Sequence, residues 1–344
     1  MQEMSYNIRQ EKSKKVCLIT GVAGLIGSHM AEYLVSKGYD VYGIDNLSGG
    51  YTENVPKGVT FYCQDLGNKK AIARLFKKIK PDYVYHFAAY AAEGLSPFIR
   101  NFNYQNNLVC SANVINECIK NDVKKIIFTS SMAVYGEGKP PFKETDIPHP
   151  IDPYGISKYA VELDLECAYS QFGLNYTIVR PHNVIGIRQN IWDKYRNVMG
   201  IWIRRVLRGE SICIFGDGTQ ERAFSDIKFC LEPFEKLMTM GDREVFNLGC
   251  TKQYPLNEVS EIIVKIAKEF GFDATVEHLE QRHGEAKYAY CNHDKAEKVL
   301  GFKDETNLEE TIREMFVWAM KQEDREVKQM PYEIDKGMYS YWKK

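Results

Sequence analysis

From Lys15 onward the chain alternates short, continuous apolar runs with longer stretches of helical spacing. Val16-Cys17-Leu18-Ile19-Thr20 is such a run, the pattern of a strand buried on both faces. Ser28–Lys37 follows with helical periodicity, and Gly38 stands where a C-terminal cap favours glycine. Strand patterns recur at Val41–Asp45, Tyr83–Phe87, Lys125–Thr129 and Tyr176–Arg180. Strands separated by helices join as right-handed crossovers into a parallel sheet. Residues 15–180 therefore read as a doubly wound α/β domain.

The rhythm changes after Arg180. Ile191–Gly200 and Phe215–Arg222 are rich in Gly, Asn, Asp and Arg and read as loops. A strand at Val245–Leu248 and helices at Leu256–Phe270 and Leu308–Lys321 complete a smaller mixed α/β unit over 181–321, with later segments expected to return to the first domain. The tails, 1–14 and 322–344, are polar. The second carries Tyr332, Tyr339, Tyr341 and Trp342, which either dock it on the body or leave it disordered.

Composition narrows the function. The chain has 344 residues, with 45 Lys plus Arg against 46 Asp plus Glu, so no excess positive charge exists to coat a nucleic acid. Nine cysteines are scattered without a CxxC pair or a metal-ligand array, as expected of reduced thiols in a cytoplasmic protein that holds no metal. No apolar run approaches the roughly 18 residues that a membrane span needs.

Two constellations carry chemistry. Gly21-Val22-Ala23-Gly24-Leu25-Ile26-Gly27 joins the first strand to the first helix. Glycines allow a tight turn and close approach to a pyrophosphate, while the helix N-terminus offers amide donors and a positive dipole. Asp45, ending the second strand, is placed to accept hydrogen bonds from an adenosine ribose. An acid there repels a 2′-phosphate, and no Arg or Lys follows within Asn46–Gly50, so NAD is favoured over NADP. Further on, Tyr154 and Lys158 are four residues apart, hence on one face of a helix. A free phenol has a pKa near 10, and the lysine's charge favours its anion. The preceding strand ends Thr129-Ser130-Ser131, which delivers hydroxyls to the carboxyl edge of the sheet, where ligands bind in such folds.

With these residues together, the chain resembles the extended short-chain dehydrogenase/reductase family, and within it the nucleotide-sugar epimerases and dehydratases. The resemblance runs from about Val16 to Trp318, through GVAGLIG, DNLSGG, HFAAYAA, TSSMAVYG, YGISK, RPHNVIG, IFGDGTQER and RHGE. It implies a Rossmann-type dinucleotide site and a catalytic trio of Ser131, Tyr154 and Lys158. It also implies that Asn46, Asp65 and Leu66 lie by the adenosine, that Phe87, Ala88 and Ala89 line the dinucleotide path, and that Asn106 sits beside the cofactor. Asn183, Asn197, Val198, Phe215, Arg222 and Arg282 fill its nucleotide-sugar positions. A diphosphate suits arginine forks, and a base needs a stacking face. Arg204, Arg205 and Arg208 have no part in these motifs and read as a solvated helix face.

Met132 and Ala133 choose among reactions. The dehydratases and decarboxylases of the family carry an acid before their VYG-like tripeptide, and the 3,5-epimerases carry a cysteine. Neither Met132 nor Ala133 moves protons. The expected reaction is epimerisation at C4 of a nucleotide sugar, a UDP-hexose or UDP-hexuronate, through a 4-keto intermediate. The alternatives are a 4-dehydrogenase, a 4,6-dehydratase or decarboxylase, and, more remotely, a non-enzymatic NAD-binding regulator. Departures from the family pattern include His182, Asp226, Lys228 and Phe229. Glu93 is either an additional acid or base or a carboxylate favoured by a helix N-terminus. Surplus apolar residues on 106–120 and 154–172, among them Leu108, Val109, Val114, Ile115, Ile119, Val161, Leu163 and Leu165, point to a homodimer through a four-helix contact.

Overall fold

The computed structural model describes residues 14–282, 286–326 and 329–343. His283 to Glu285 of the RHGE motif and residues 1–13 lie outside them. A seven-stranded sheet organises the fold, in the order β11-β6-β5-β4-β1-β2-β3 with every pair parallel. Its strands are β1 (Val16–Thr20), β2 (Asp40–Asp45), β3 (Thr60–Cys63), β4 (Tyr83–His86), β5 (Lys125–Thr129), β6 (Tyr176–Pro181) and β11 (Val245–Leu248). Cys17 to Ile19 and all of β5 are buried, as strands covered on both faces must be.

Helices α1 (Leu25–Ser36), α2 (Lys69–Ile79), α3 (Arg100–Tyr104), α4 (Cys110–Lys120) and α5 (Pro153–Phe172) connect these strands. A π-turn, Gln105–Val109, joins α3 to α4. Val114, Cys118, Val161 and Leu165 pack with Leu18, Ile72, Phe76 and Phe128 on one side of the sheet. On the other, Met30 and Leu34 of α1 pack with Phe234, Leu237, Phe246 and Leu300. The later chain thus supplies both the β11 edge and part of this second layer, through α7 (Leu231–Lys236) and α9 (Asp294–Leu300).

The remaining segments build a second core around Trp202, Ile203, Ile214, Ile263 and Phe316. It comprises α6 (Val198–Leu207), α8 (Leu256–Glu269), α10 (Leu308–Ala319) and short strand pairs. Those pairs are β7 (Val184–Ile185) with β10 (Ser225–Asp226), β8 (Ile212–Phe215) with β13 (Val276–Leu279), and β9 (Glu221–Ala223) with β12 (Gln253–Pro255) and β14 (Tyr288–Ala289). Helix α6 begins within the stretch read from sequence as a loop, because Val198 to Leu207 bury an apolar face that begins at Met199. No described helix is long and apolar enough to cross a membrane.

Candidate active site

The sheet order reverses between β1 and β4, which opens a crevice at the carboxyl ends of the strands. The turn after β1 shapes one wall. Gly21 has φ +73°, and a Cβ there would lie 2.8 Å from the Ala88 amide nitrogen. A Cβ on Gly27 would sit 2.1 Å from the Gly21 carbonyl oxygen. Gly24 is the N-cap of α1 and offers no side-chain cap to the first-turn amides of Leu25, Ile26 and Gly27. Asp45 accepts from the amides of Ala23 (3.0 Å) and Leu47 (2.8 Å). Burial raises its carboxyl pKa, against the pull of those two bonds.

Gly21, Gly24, Asp45, Asn46, Asp65, Leu66, Phe87, Ala88, Ala89 and Asn106 all line this one cleft. Asn46 donates to Asp65 at 3.0 Å, and Asn106, in the π-turn, donates to the Phe102 carbonyl at 2.8 Å. π-turns within helices recur at functional sites. A cradle of bare glycine backbone, an uncapped helix N-terminus and a carboxylate at the end of β2 fit a dinucleotide.

A residue not anticipated from the sequence joins them. No cation follows Asp45 within Asn46–Gly50, but Arg196 enters the cleft from the loop before α6. A Cβ on Gly49 would lie 2.4 Å from its Nη2, so the guanidinium packs directly on the bare Gly49 backbone. Its guanidinium rests over the Tyr90 ring at 4.6 Å, and its Nε donates to Asp193 at 2.8 Å. Its charge lowers the pKa values of both Asp45 and Tyr154, though burial outweighs it at each. No local motif signals this residue, because its neighbours in the cleft come from distant strands.

Tyr154 and Lys158 lie in the first turns of α5, capped by Asp152, whose Oδ1 accepts from the amides of Tyr154 (2.9 Å) and Gly155 (3.0 Å). Ser96 donates to the same Oδ1 at 3.1 Å, which ties the Glu93–Phe98 turn to α5. Deeper in, Arg180 holds Glu162 of α5 through Nε (3.0 Å) and Nη2 (2.5 Å), and Ser130 donates to the same carboxylate at 2.5 Å. This buried ion pair fixes the end of β5, and with it Ser131, against α5.

Burial raises the Tyr154 pKa; the neighbouring Ser131 hydroxyl pulls the value down, and the Glu93 charge pushes it up. Lys158 donates to the Thr129 carbonyl at 2.7 Å, lies 6.0 Å from the Tyr154 ring centroid, and is pushed down to about 7 by burial. Glu93 is exposed and opens a short 3-10 turn, so its charge reaches the phenol from the cleft's rim. His182 is buried beside Gly249 with neither ring nitrogen bonded, and lines neither described cavity.

The anticipated substrate residues are spread more widely. Phe215 ends β8, and the Arg282 guanidinium rests 4.3 Å from its ring centroid. Arg222, on β9, donates to the Glu221 carbonyl at 2.8 Å, and Asn183 donates to the Ala223 carbonyl at 2.9 Å. Asn197 caps α6 with φ +60°, immediately before Val198. The reading of Arg204 as solvated is wrong: it is 8% exposed and lines a cavity beside Phe215. It faces the short β8–β13 pair and the last residues of the chain, which the helix pattern alone does not reveal.

Residues 17–249 match the model of the NAD dependent epimerase/dehydratase family. The chain belongs to this family. It is an NAD-dependent enzyme with the Rossmann-type fold. A putative UDP-glucose 4-epimerase of Methanocaldococcus jannaschii is 34% identical over 90% of this chain and 99% of its own length. The UDP-glucose 4-epimerase of Thermotoga maritima, solved with UDP-glucose, is 35% identical, with a TM-score of 0.83 over 89% of this chain and 99% of that one. The UDP-N-acetylglucosamine 4-epimerase of Methanobrevibacter ruminantium, solved with UDP-N-acetylmuramic acid, is 32% identical, with a TM-score of 0.82 over 90% of this chain and 99% of that one.

Proposed function

We propose that this enzyme epimerises a UDP-linked sugar, a hexose or hexuronate, at C4 through a transient 4-keto sugar. The observation that carries the reading is the convergence of Ser131, Tyr154 and Lys158 beside a dinucleotide cleft, with no acid or cysteine at Met132 or Ala133. The 4-epimerase relatives, whose sugars differ, support the reaction type.

NAD held in the cleft lined by Gly21, Gly24, Asp45, Phe87, Ala88 and Asn106 would supply the reversible hydride acceptor for C4. Tyr154 takes the 4-hydroxyl proton as the C4–H bond breaks, and gives it back when the ketone is reduced. Ser131, whose hydroxyl lies close enough to favour the phenolate, holds the 4-oxygen and keeps the proton path short. Lys158 supplies positive charge beneath the phenol and lowers the cost of its anion. Burial of all three excludes water that would compete for the ketone. Asn183, Asn197, Val198, Phe215, Arg222 and Arg282 hold the nucleotide diphosphate, so the ketose can rotate about its linkage while the nucleotide stays bound. With nine free thiols and no described membrane helix, the enzyme is proposed to act in the cytoplasm as a homodimer.

The test is product analysis on a panel of UDP-sugars, by mass and NMR. A C4 epimer of unchanged mass, without net NADH, is the expected outcome. A dehydrated, decarboxylated or oxidised sugar as main product would assign one of the other reactions.

A further inference from the structure

A cavity of about 440 Å³ opens between α6, the β8–β13 pair and the last residues of the chain. Phe215 lines one side, Arg204 and Arg205 a second, and Tyr339 and Tyr341 a third. The C-terminal segment is firmly seated. Trp342 is 3% exposed, packed with Tyr90, Leu95, Ile99 and Tyr195. Tyr332 donates to the Trp342 carbonyl at 2.8 Å and shares a 2.7 Å bond with the Tyr195 hydroxyl. The Glu333 carboxylate accepts from the amides of Asn101 and Phe102, each at 2.8 Å. These anchors lie on the segments that carry Glu93 and Arg196, at the rim of the active site.

Three observations say what the cavity holds. The Tyr341 ring stands edge-on to Phe215, at 5.7 Å and 90°, and its hydroxyl accepts from Arg205 at 3.1 Å. Two aromatic rings at right angles make a corner for a third flat ring. Next, the described lining carries four basic and four acidic side chains, a balance that suits a neutral polar group and not a phosphate. Last, Arg204 is more than nine-tenths buried, and its Nε and Nη2 lack hydrogen-bond partners. Such donors are costly to leave bare, and a donor-only group is matched by carbonyl oxygens.

We propose that the C-terminal segment Tyr339–Trp342 forms one wall of the nucleobase pocket, with Tyr341, Phe215 and Arg204 together receiving the base. This rests on the nucleotide-sugar reading above. The segment completes the site and does not plug it, because the cavity remains open between Tyr341 and α6.

The experiment is calorimetric titration of the full-length enzyme, loaded with NAD, using UDP, dTDP, GDP and inorganic pyrophosphate. The nucleotide that wild type binds most tightly serves as the probe. Tyr341→Ala weakens that nucleotide about tenfold, the scale of losing one aromatic contact to a base, and leaves pyrophosphate affinity within twofold. Arg204→Met acts in the same direction. Tyr341→Phe, which loses only the bond from Arg205, recovers most of the affinity. NAD binding by each variant reports that its fold is intact. Nucleotide binding that is unchanged or tighter in Tyr341→Ala and Arg204→Met overturns the wall. Failure of wild type to bind any of the three nucleotides overturns the nucleotide-sugar reading, and the wall with it.

Discussion

Tyr154 and Lys158 are burdened by the burial that makes them useful. Tyr154→Phe keeps the ring and its packing but removes the proton carrier, so turnover falls by about 10²–10⁴-fold, while titrated NAD and UDP affinities change little. Lys158→Met lowers turnover comparably. It also moves the rising limb of the pH–rate profile to higher pH, because the phenol loses the cation that favours its anion. Stability moves the other way. Unfolded, Lys158 keeps its proton up to the ordinary value of 10.5, whereas folded it loses it near 7. The unfolded chain therefore binds more protons between those values, and stability rises with pH across them. Below about 7 the folded protein carries the full cost of the buried charge. Lys158→Met removes that cost, so the cofactor-free variant should melt higher than wild type at pH 7, with the gap closing toward pH 10. A variant that melts lower at pH 7, or a gap that widens with pH, would refute this account. The YxxxK spacing showed these two residues in the sequence because four residues is one helical turn. Arg196 was not legible, since its place depends on Gly49, Tyr90 and Asp193 meeting in space.

At the scale of elements, the turn between β1 and α1 leaves least room for change. The Cβ that Gly27→Ala adds would meet backbone at 2.1 Å, with no flexible side chain to yield. Either the turn opens or α1 shifts, and both displace the first-turn amides proposed to meet the dinucleotide. Gly27→Ala should weaken NAD binding at least tenfold in a fluorescence titration, while far-UV circular dichroism stays near wild type. Near-wild-type NAD affinity would mean that the first turn of α1 is not part of the site. The strongly apolar, buried strands were readable: β1, β5 and β11 have the bounds that their apolar runs indicate. Exposed strands were not. β3 is only Thr60–Cys63, with no residue buried, and β13 alternates little. Each is a strand because a neighbour pairs with it, through β2 and β8, so its own sequence carries little signal. The onset of α6 at Val198 was hidden for a related reason: Asn197 caps it in a left-handed conformation that resembles a loop.

For the whole molecule, the doubly wound plan was legible in the alternation of strands and helices, whereas the path of the later chain was not. Nothing in Val245–Leu248 itself says that it pairs with β6 and not with a strand of the second core. The same limit bears on assembly. Of the apolar residues offered for a dimer, Val114, Ile115, Val161 and Leu165 are spent inside the chain, packed against the sheet. Leu163 is not: it is 45% exposed, with Ile156 at 42% and Phe172 at 68% on the same helix. Ile156 and Leu163 are seven residues apart, so they share a face of α5, and α4 packs alongside. An isologous contact would set α4 and α5 of one subunit against those of its partner across a two-fold axis, each covering the other's Leu163. Light scattering at micromolar concentration should return a dimer. Leu163→Lys places two like charges near that axis and should yield a monomer that still binds NAD, because the residue lies away from the cleft lining. A wild-type monomer, or a Leu163→Lys protein that remains dimeric, would move the interface elsewhere or remove it.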